Sequence, residues 1–143
     1  MFETSILPLH HIGVATRDLE REERIFSSLG YAPCSEIFVD QAQGIRGLFV
    51  AAPNQPTLEL IENIDRSQGV EGRVSTFLKR GIKLYHFAYA TSSIEADTER
   101  LRRECKAKIL VPVMEAAFFE KISFAVLPNQ LIVELVQVKT AAV

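Results

Sequence analysis

The sequence predicts an α+β fold made of two tandem βαβββ modules that form a shared cleft. Three observations predict it. The stretch LHHIGVAT at residues 9–16 returns as LYHFAYAT at 84–91, each with a histidine in third place. Each copy is followed by a segment of helical periodicity and then by three strand-like runs. The last of those runs contain LELIE at 58–62 and VELVQ at 133–137, which keep the same offset of 75 residues. The chain's 143 residues make a single domain, 1–143, of two modules at about 7–64 and 82–138, joined by a linker at 65–81. One such module is marginal alone because it buries little surface, and two copies are too few for a solenoid.

The elements follow in chain order. After the first strand, Asp18 is the expected N-cap of a helix that carries Leu19, Phe26 and Leu29 on one face and ends at Gly30. Three strands are expected in SEIFVD, IRGLFVAA and TLELIE, divided by Gly44 and by Pro53-Asn54-Gln55-Pro56. The linker starts polar and glycine-containing and holds a short helical turn around Val74–Lys79. In the second module Ser92 and Glu95 have capping-box spacing, and Ile94, Leu101 and Cys105 share a helix face. The strands AKILVPV, EKISFAVL and QLIVELV complete it, with a turn at Pro128-Asn129.

Composition narrows the function classes. Hydrophobic residues at 48% and charged residues at 24% describe a globular chain with a core. A net charge of -2 and a pI of about 5.9 point to no polyanionic partner, and nucleic acid is not expected. The basic run Arg100 to Lys108, interleaved with Glu99 and Glu104, reads as a solvated helix end. Cys34 and Cys105 have neither metal-type spacing nor a disulfide framework around them and read as reduced thiols of a cytoplasmic protein. The leading MFETSILPLHH lacks the basic start and long apolar run of a signal peptide, and no stretch reaches the ~20 apolar residues of a membrane span.

Side chains alternate across a strand. His11, Gly13 and Ala15 therefore share one face of the first strand, and His86, Ala88 and Ala90 share one face of its copy. Ile12, Val14, Phe87 and Tyr89 point the other way, onto the helices. Small residues beside each histidine leave room for something else. Glu59 and Glu134 stand inside apolar runs, opposite Leu58/Leu60 and Val133/Leu135. A carboxylate there is costly to bury unless it is paired or bound to a cation. Taken singly, a strand histidine is usually a satisfied core or surface residue, and a strand glutamate usually faces water. Those separate readings do not predict four residues at one offset on one face. His11, Glu59, His86 and Glu134 suit one divalent metal ion, Co, Ni, Zn, Mn or Fe, with positions left open for substrate. His10 lies on the opposite face, its counterpart is Tyr85, and it is not read as a ligand.

Paired modules with His and Glu on their first and last strands resemble the vicinal oxygen chelate (glyoxalase/bleomycin resistance/dioxygenase) superfamily. The likeness covers about residues 7–138. HHIGVAT, a helix ending in LGY, LELIE, YHFAYAT and VELVQ look most like its methylmalonyl-CoA epimerase branch. The resemblance implies metal ligands at His11, Glu59, His86 and Glu134. It also implies an isomerase or epimerase moving a proton alpha to a carbonyl of a small substrate, acyl-CoA among the candidates. Glu134 is the implied base. The branch's second acid falls on Ala42 in DQAQG, with Asp40 two residues away expected to substitute. Its glycine-bearing loop is replaced by PVMEAAFFEKISF, with Phe118 and Phe119 in place of small residues. Two alternatives stand beside this. One is a glyoxalase I-like lyase, with Arg17, Arg46 or Lys121 anchoring a thiol adduct. The other is a non-catalytic binder of small molecules such as antibiotics. Strand edges at the module ends imply a homodimer.

Overall fold

The computed structural model describes residues 6–64 and 73–140. The first residues of MFETSILPLHH, on which the signal-peptide reading partly rests, and the polar linker stretch 65–72 lie outside the described residues. The chain forms two compact units. The first takes residues 11–86 together with 116–118. The second takes 87–115 and the chain from 119 on, and also claims the segment up to His10.

In the first unit run β1 (Leu9–Ala15, from His11), α1 (Leu19–Ser27), β2 (Ala32–Pro33), β3 (Phe38–Asp40), β4 (Ile45–Ala51), β5 (Leu58–Asn63) and α2 (Arg73–Lys79). The strand order is β2-β4-β5-β1, with β3 also on β4. β1 and β5 are parallel, β4 and β5 antiparallel. Asp18 caps α1 by accepting from the Arg21 amide at 3.1 Å, as its place before the apolar run requires. Ile12, Val14, Leu58 and Leu60 pack with Leu19 and Phe26 of α1, so one sheet face is covered by the helix. His11 and Glu59 point to the opposite face, away from the helix. Leu29 departs from the expected helix face and is exposed. The helix ends at the Ser28 cap, so Leu29 falls in the turn that Gly30 closes with φ +93°. The expected strand SEIFVD is ordered as a strand only over Phe38–Asp40, and Ala32–Pro33 adds a short strand that the sequence did not announce.

The second unit contains β6 (Leu84–Ala90, from Phe87), α3 (Ile94–Arg100), β7 (Lys108–Glu115), β8 (Lys121–Val126) and β9 (Ile132–Gln137). The order is β6-β9-β8-β7. Its registers copy those of the first unit. Gly13 lies beside Glu59 and Ala88 beside Glu134, while Phe49 faces Glu59 and Phe124 faces Glu134 across the antiparallel pairs. Helix α3 continues as a π-helical turn, Leu101–Cys105, closed by Lys106 in the left-handed region at φ 63°. The expected capping box does not form. Ser93, not Ser92, is the N-cap, and Lys121 Nζ holds the Glu95 carboxylate at 2.5 Å. An ion pair has taken the group that the box would have used.

The helix starts show a second layer of the repeat. In the first unit the Leu19 amide donates to Glu62 Oε2 at 2.9 Å, and Arg46 bridges Glu62 to Glu20. In the second the Ile94 amide donates to Gln137 Oε1 at 3.3 Å, and Lys121 pairs with Glu95. Thr16 donates to Glu22 at 3.1 Å and Thr91 to Asp97 at 2.5 Å. Every one of these correspondences is again 75 residues apart. Each final strand therefore carries both a carboxylate on one face and, three residues on, an anchor for the helix start on the other.

Candidate metal centre

Within the first unit, β1 carries His11, β5 carries Glu59, and the start of β6 carries His86. His11 Nε2 lies 3.0 Å from Glu59 Oε1. His86 Nε2 lies 3.5 Å from the same oxygen and 3.2 Å from His11 Nε2. All three side chains are buried. Burial would push the Glu59 carboxyl up. The two imidazoles beside it, His11 first and then His86, outweigh burial and hold the group below the usual carboxylate range. Glu59 therefore stays ionised.

These distances test a metal directly. Two donors bonded to one cation at about 2.1 Å and at right angles lie about 3.0 Å apart. The observed separations of 3.0, 3.2 and 3.5 Å start at that value and run upward from it, as angles wider than a right angle would give. Hydrogen bonding alone serves the trio less well. If both imidazoles donate to Glu59, two N–H groups meet at the His11–His86 contact; if one accepts, only the other can donate to Glu59 from Nε2. A cation accepts lone pairs from all three at once. Two imidazole nitrogens and a carboxylate oxygen are a donor set for borderline divalent ions. The residues fit the group that the sequence leads one to expect.

Two neighbours shape the trio. Gly13 sits between His11 and Ala15 on the same face, and a Cβ there would lie 2.2 Å from His86 Cε1 and 2.4 Å from its Nδ1. The room left by this small residue is filled by the His86 ring. Phe49, the cross-strand neighbour of Glu59, sets its ring edge-on to His11 at 5.1 Å. That ring limits water around the imidazole.

The remaining expected residues fall as follows. Glu134 is buried on β9 of the second unit, beside Ala88. Asp40 is buried at the end of β3, opposite Ile45 of β4. That is four residues, about 13 Å along the strand, from Phe49 and the Glu59 row. Its carboxylate accepts from the Gln43 amide at 3.1 Å, Gln43 Nε2 at 2.8 Å and the Ala117 amide at 3.2 Å. Those bonds hold the 41–44 turn and the 116–118 loop. Ala42 is exposed in that turn. Phe118 packs on Phe49 and Phe38, whereas Phe119 is buried in the second unit, edge-on to His10 at 5.1 Å. Arg46 and Lys121, considered as anchors for a thiol adduct, are engaged by Glu20, Glu62 and Glu95, and Arg17 is exposed. Sequence reasoning missed Phe38, Phe49 and Glu62. For Glu62 the signal was present, since its counterpart Gln137 lies at the offset that exposed the ligands.

Comparison with known proteins gives one family. The family model of the Glyoxalase/Bleomycin resistance protein/Dioxygenase superfamily matches residues 10–117. A search of curated proteins finds no match. Among solved structures, methylmalonyl-CoA epimerase from Mycobacterium tuberculosis is similar with a TM-score of 0.80 and 25% identity, over 98% of this chain and 94% of that one. A hypothetical protein from Bacillus halodurans has a TM-score of 0.77 at 21% identity, over 94% and 96% of the two chains. A Streptomyces coelicolor methylmalonyl-CoA epimerase in complex with 2-nitronate-propionyl-CoA has a TM-score of 0.75 at 21% identity, over 95% and 100%. The last two show a shared fold. No helix among the described residues is long and apolar enough to cross a membrane.

Proposed function

This chain belongs to the Glyoxalase/Bleomycin resistance protein/Dioxygenase superfamily, and from that premise we propose that it is a metal-dependent, epimerase-like isomerase that moves a proton alpha to a carbonyl of a small substrate. The observation that carries the reading is the convergence of His11 Nε2, Glu59 Oε1 and His86 Nε2 within 3.0–3.5 Å. Glu134 is the proposed fourth ligand. Its support is its burial and its register beside Ala88, which repeats that of Glu59 beside Gly13. The ion, one of Co, Ni, Zn, Mn or Fe, would stabilise negative charge growing on the substrate's carbonyl oxygen.

The chain's own residues would do the rest. His11 and His86 would present two buried imidazole nitrogens, the His86 ring seated in the space that Gly13 leaves. The Glu134 carboxylate takes the alpha proton, and inversion follows when a proton from solvent reaches the opposite face of that carbon. The similarity to methylmalonyl-CoA epimerase from M. tuberculosis supports this class of chemistry. For Asp40, three hydrogen bonds favour holding the turn and loop over moving a second proton. We further place the protein in the cytoplasm as a homodimer, association that sedimentation velocity would read against the 16.0 kDa chain.

The test is metal content per chain by mass spectrometry, after loading with each ion and desalting, for the wild type and His86→Ala. About one equivalent is expected in the wild type and none in the variant. Deuterium uptake at the alpha carbon of acyl thioesters and 2-oxo compounds is then followed in D2O. A metal-loaded wild type that exchanges no such proton above the uncatalysed blank removes the isomerase reading.

A further inference from the structure

The geometry points to an apolar substituent on the substrate's alpha carbon: we propose that Phe38, Phe49 and Phe118 select an alpha-aryl or branched alpha-alkyl carbonyl compound over one bearing a second carboxylate. This rests on the proton-transfer reading above.

Three rings make one continuous wall beside the metal centre, all within the first unit. Phe49 touches His11 edge-on at 5.1 Å. Phe38 stacks on Phe49 at 5.6 Å with 24° between planes. Phe118 closes the group, 4.6 Å from Phe49 and 5.2 Å from Phe38. Phe49 is 2% exposed, but Phe118 presents 38% of its surface. Contact with a ligand is therefore open to the outermost ring of the wall.

The backbone is cut to fit this wall. Gly47 is the cross-strand neighbour of Phe38, and a Cβ there would lie 2.6 Å from Phe38 Cζ. Only a residue without a side chain lets Phe38 lie flat across β4 onto Phe49. Phe118 comes from a loop distant in sequence, and the buried Asp40 pins that loop through the Ala117 amide at 3.2 Å. Asp40 thus acts as a positioning residue for Phe118. Its other bonds, to Gln43, tie it to the turn that follows β3, the strand that carries Phe38.

The chemistry of the wall argues against a second carboxylate. Aromatic faces carry the negative end of the ring quadrupole and repel an anion. A carboxylate pressed on them loses water and gains no donor in return. An aryl or branched alkyl group instead gains contact area and offset or edge-on ring packing.

Two N-acetylcysteamine thioesters test this, 2-phenylpropionyl and methylmalonyl, with metal-loaded wild type, Phe118→Ala and Phe118→Leu. In the exchange step the alpha C–H bond breaks, the proton passes to the base, and a deuteron from solvent returns to carbon. The proposal expects the phenylpropionyl ester to be accelerated at least about tenfold more than the methylmalonyl ester, each enzymatic rate per unit concentration being divided by the uncatalysed exchange rate of the same ester, because the aryl ester is the more acidic on its own. It expects Phe118→Ala to lose that preference while keeping its metal, and Phe118→Leu to keep part of it. Equal or greater acceleration of the methylmalonyl ester overturns the proposal and leaves the isomerase reading standing. So does an unchanged preference in metal-replete Phe118→Ala. If neither ester exchanges, the isomerase reading is left to the wider set of acyl thioesters and 2-oxo compounds, and saturation-transfer NMR of 2-phenylpropionate and methylmalonate decides the wall by itself. Preferential binding of 2-phenylpropionate, lost in Phe118→Ala, supports it, and any other pattern overturns it.

Discussion

Gly13 carries the centre by lacking an atom. Any Cβ at that position enters the His86 ring, with all three nearest ring atoms within 2.8 Å. The second unit has Ala88 at the equivalent register, so the strand pairing itself does not demand glycine there. What demands it is the histidine from β6. Gly13→Ala should therefore leave the β-rich fold intact by circular dichroism while displacing His86. Metal affinity is expected to fall about tenfold to hundredfold, the range seen when ligand support is lost, measured by chelator competition. Unchanged affinity would mean that His86 does not bind from the position described.

Helix α1 is tethered to β5, not merely packed on it. Glu62 Oε2 accepts the Leu19 amide, and Oε1 faces Arg46, which also reaches Glu20. A buried carboxylate with an amide donor and a guanidinium partner satisfies an orphan helix-start donor and its own charge together. In the second unit the neutral Gln137 does the same for Ile94. This difference sets a specific expectation. Glu62→Ala should lower stability by about 1–3 kcal/mol, since it strips the helix start and leaves Arg46 without its inner partner. Glu62→Gln should recover much of that, because the amide oxygen still accepts. Urea unfolding of the two variants would read the gap, and equal losses would show that the charge rather than the cap matters.

At the scale of the molecule, a centre built from residues far apart in sequence couples ligand binding to folding. His11, Glu59 and His86 come from three strands, and the unfolded chain has no such preformed site. An ion held at 100 times its dissociation constant adds about 2.7 kcal/mol of stability when it binds the folded state alone. For a chain of this length that corresponds to a rise of about 5–10 °C in Tm. Differential scanning fluorimetry should show this rise in the wild type, its reversal by a chelator, and no rise in His86→Ala. A rise in the variant would place the ion elsewhere.

The 75-residue repeat determined a great deal on its own. Strand alternation assigned His11 and Glu59 to the face opposite Ile12, Val14, Leu58 and Leu60, and those four do pack on α1. Alternation is a property of the extended backbone and holds before any tertiary contact forms. Only the tertiary structure decided the partners of freely rotating or loop-borne groups. Glu95 had the spacing for a capping box, but Lys121 from β8 reached it first. Asp40, two residues from the position of the second acid at Ala42, accepts from the amide of Ala117, 77 residues away, a partner that no local pattern announced. Phe38, Phe49 and Phe118 carry no sequence mark that joins them, since their contact depends on the β3–β4 register and on where one loop closes. Periodicity states which way a side chain points; what it meets there depends on long-range closure, which has no local signature.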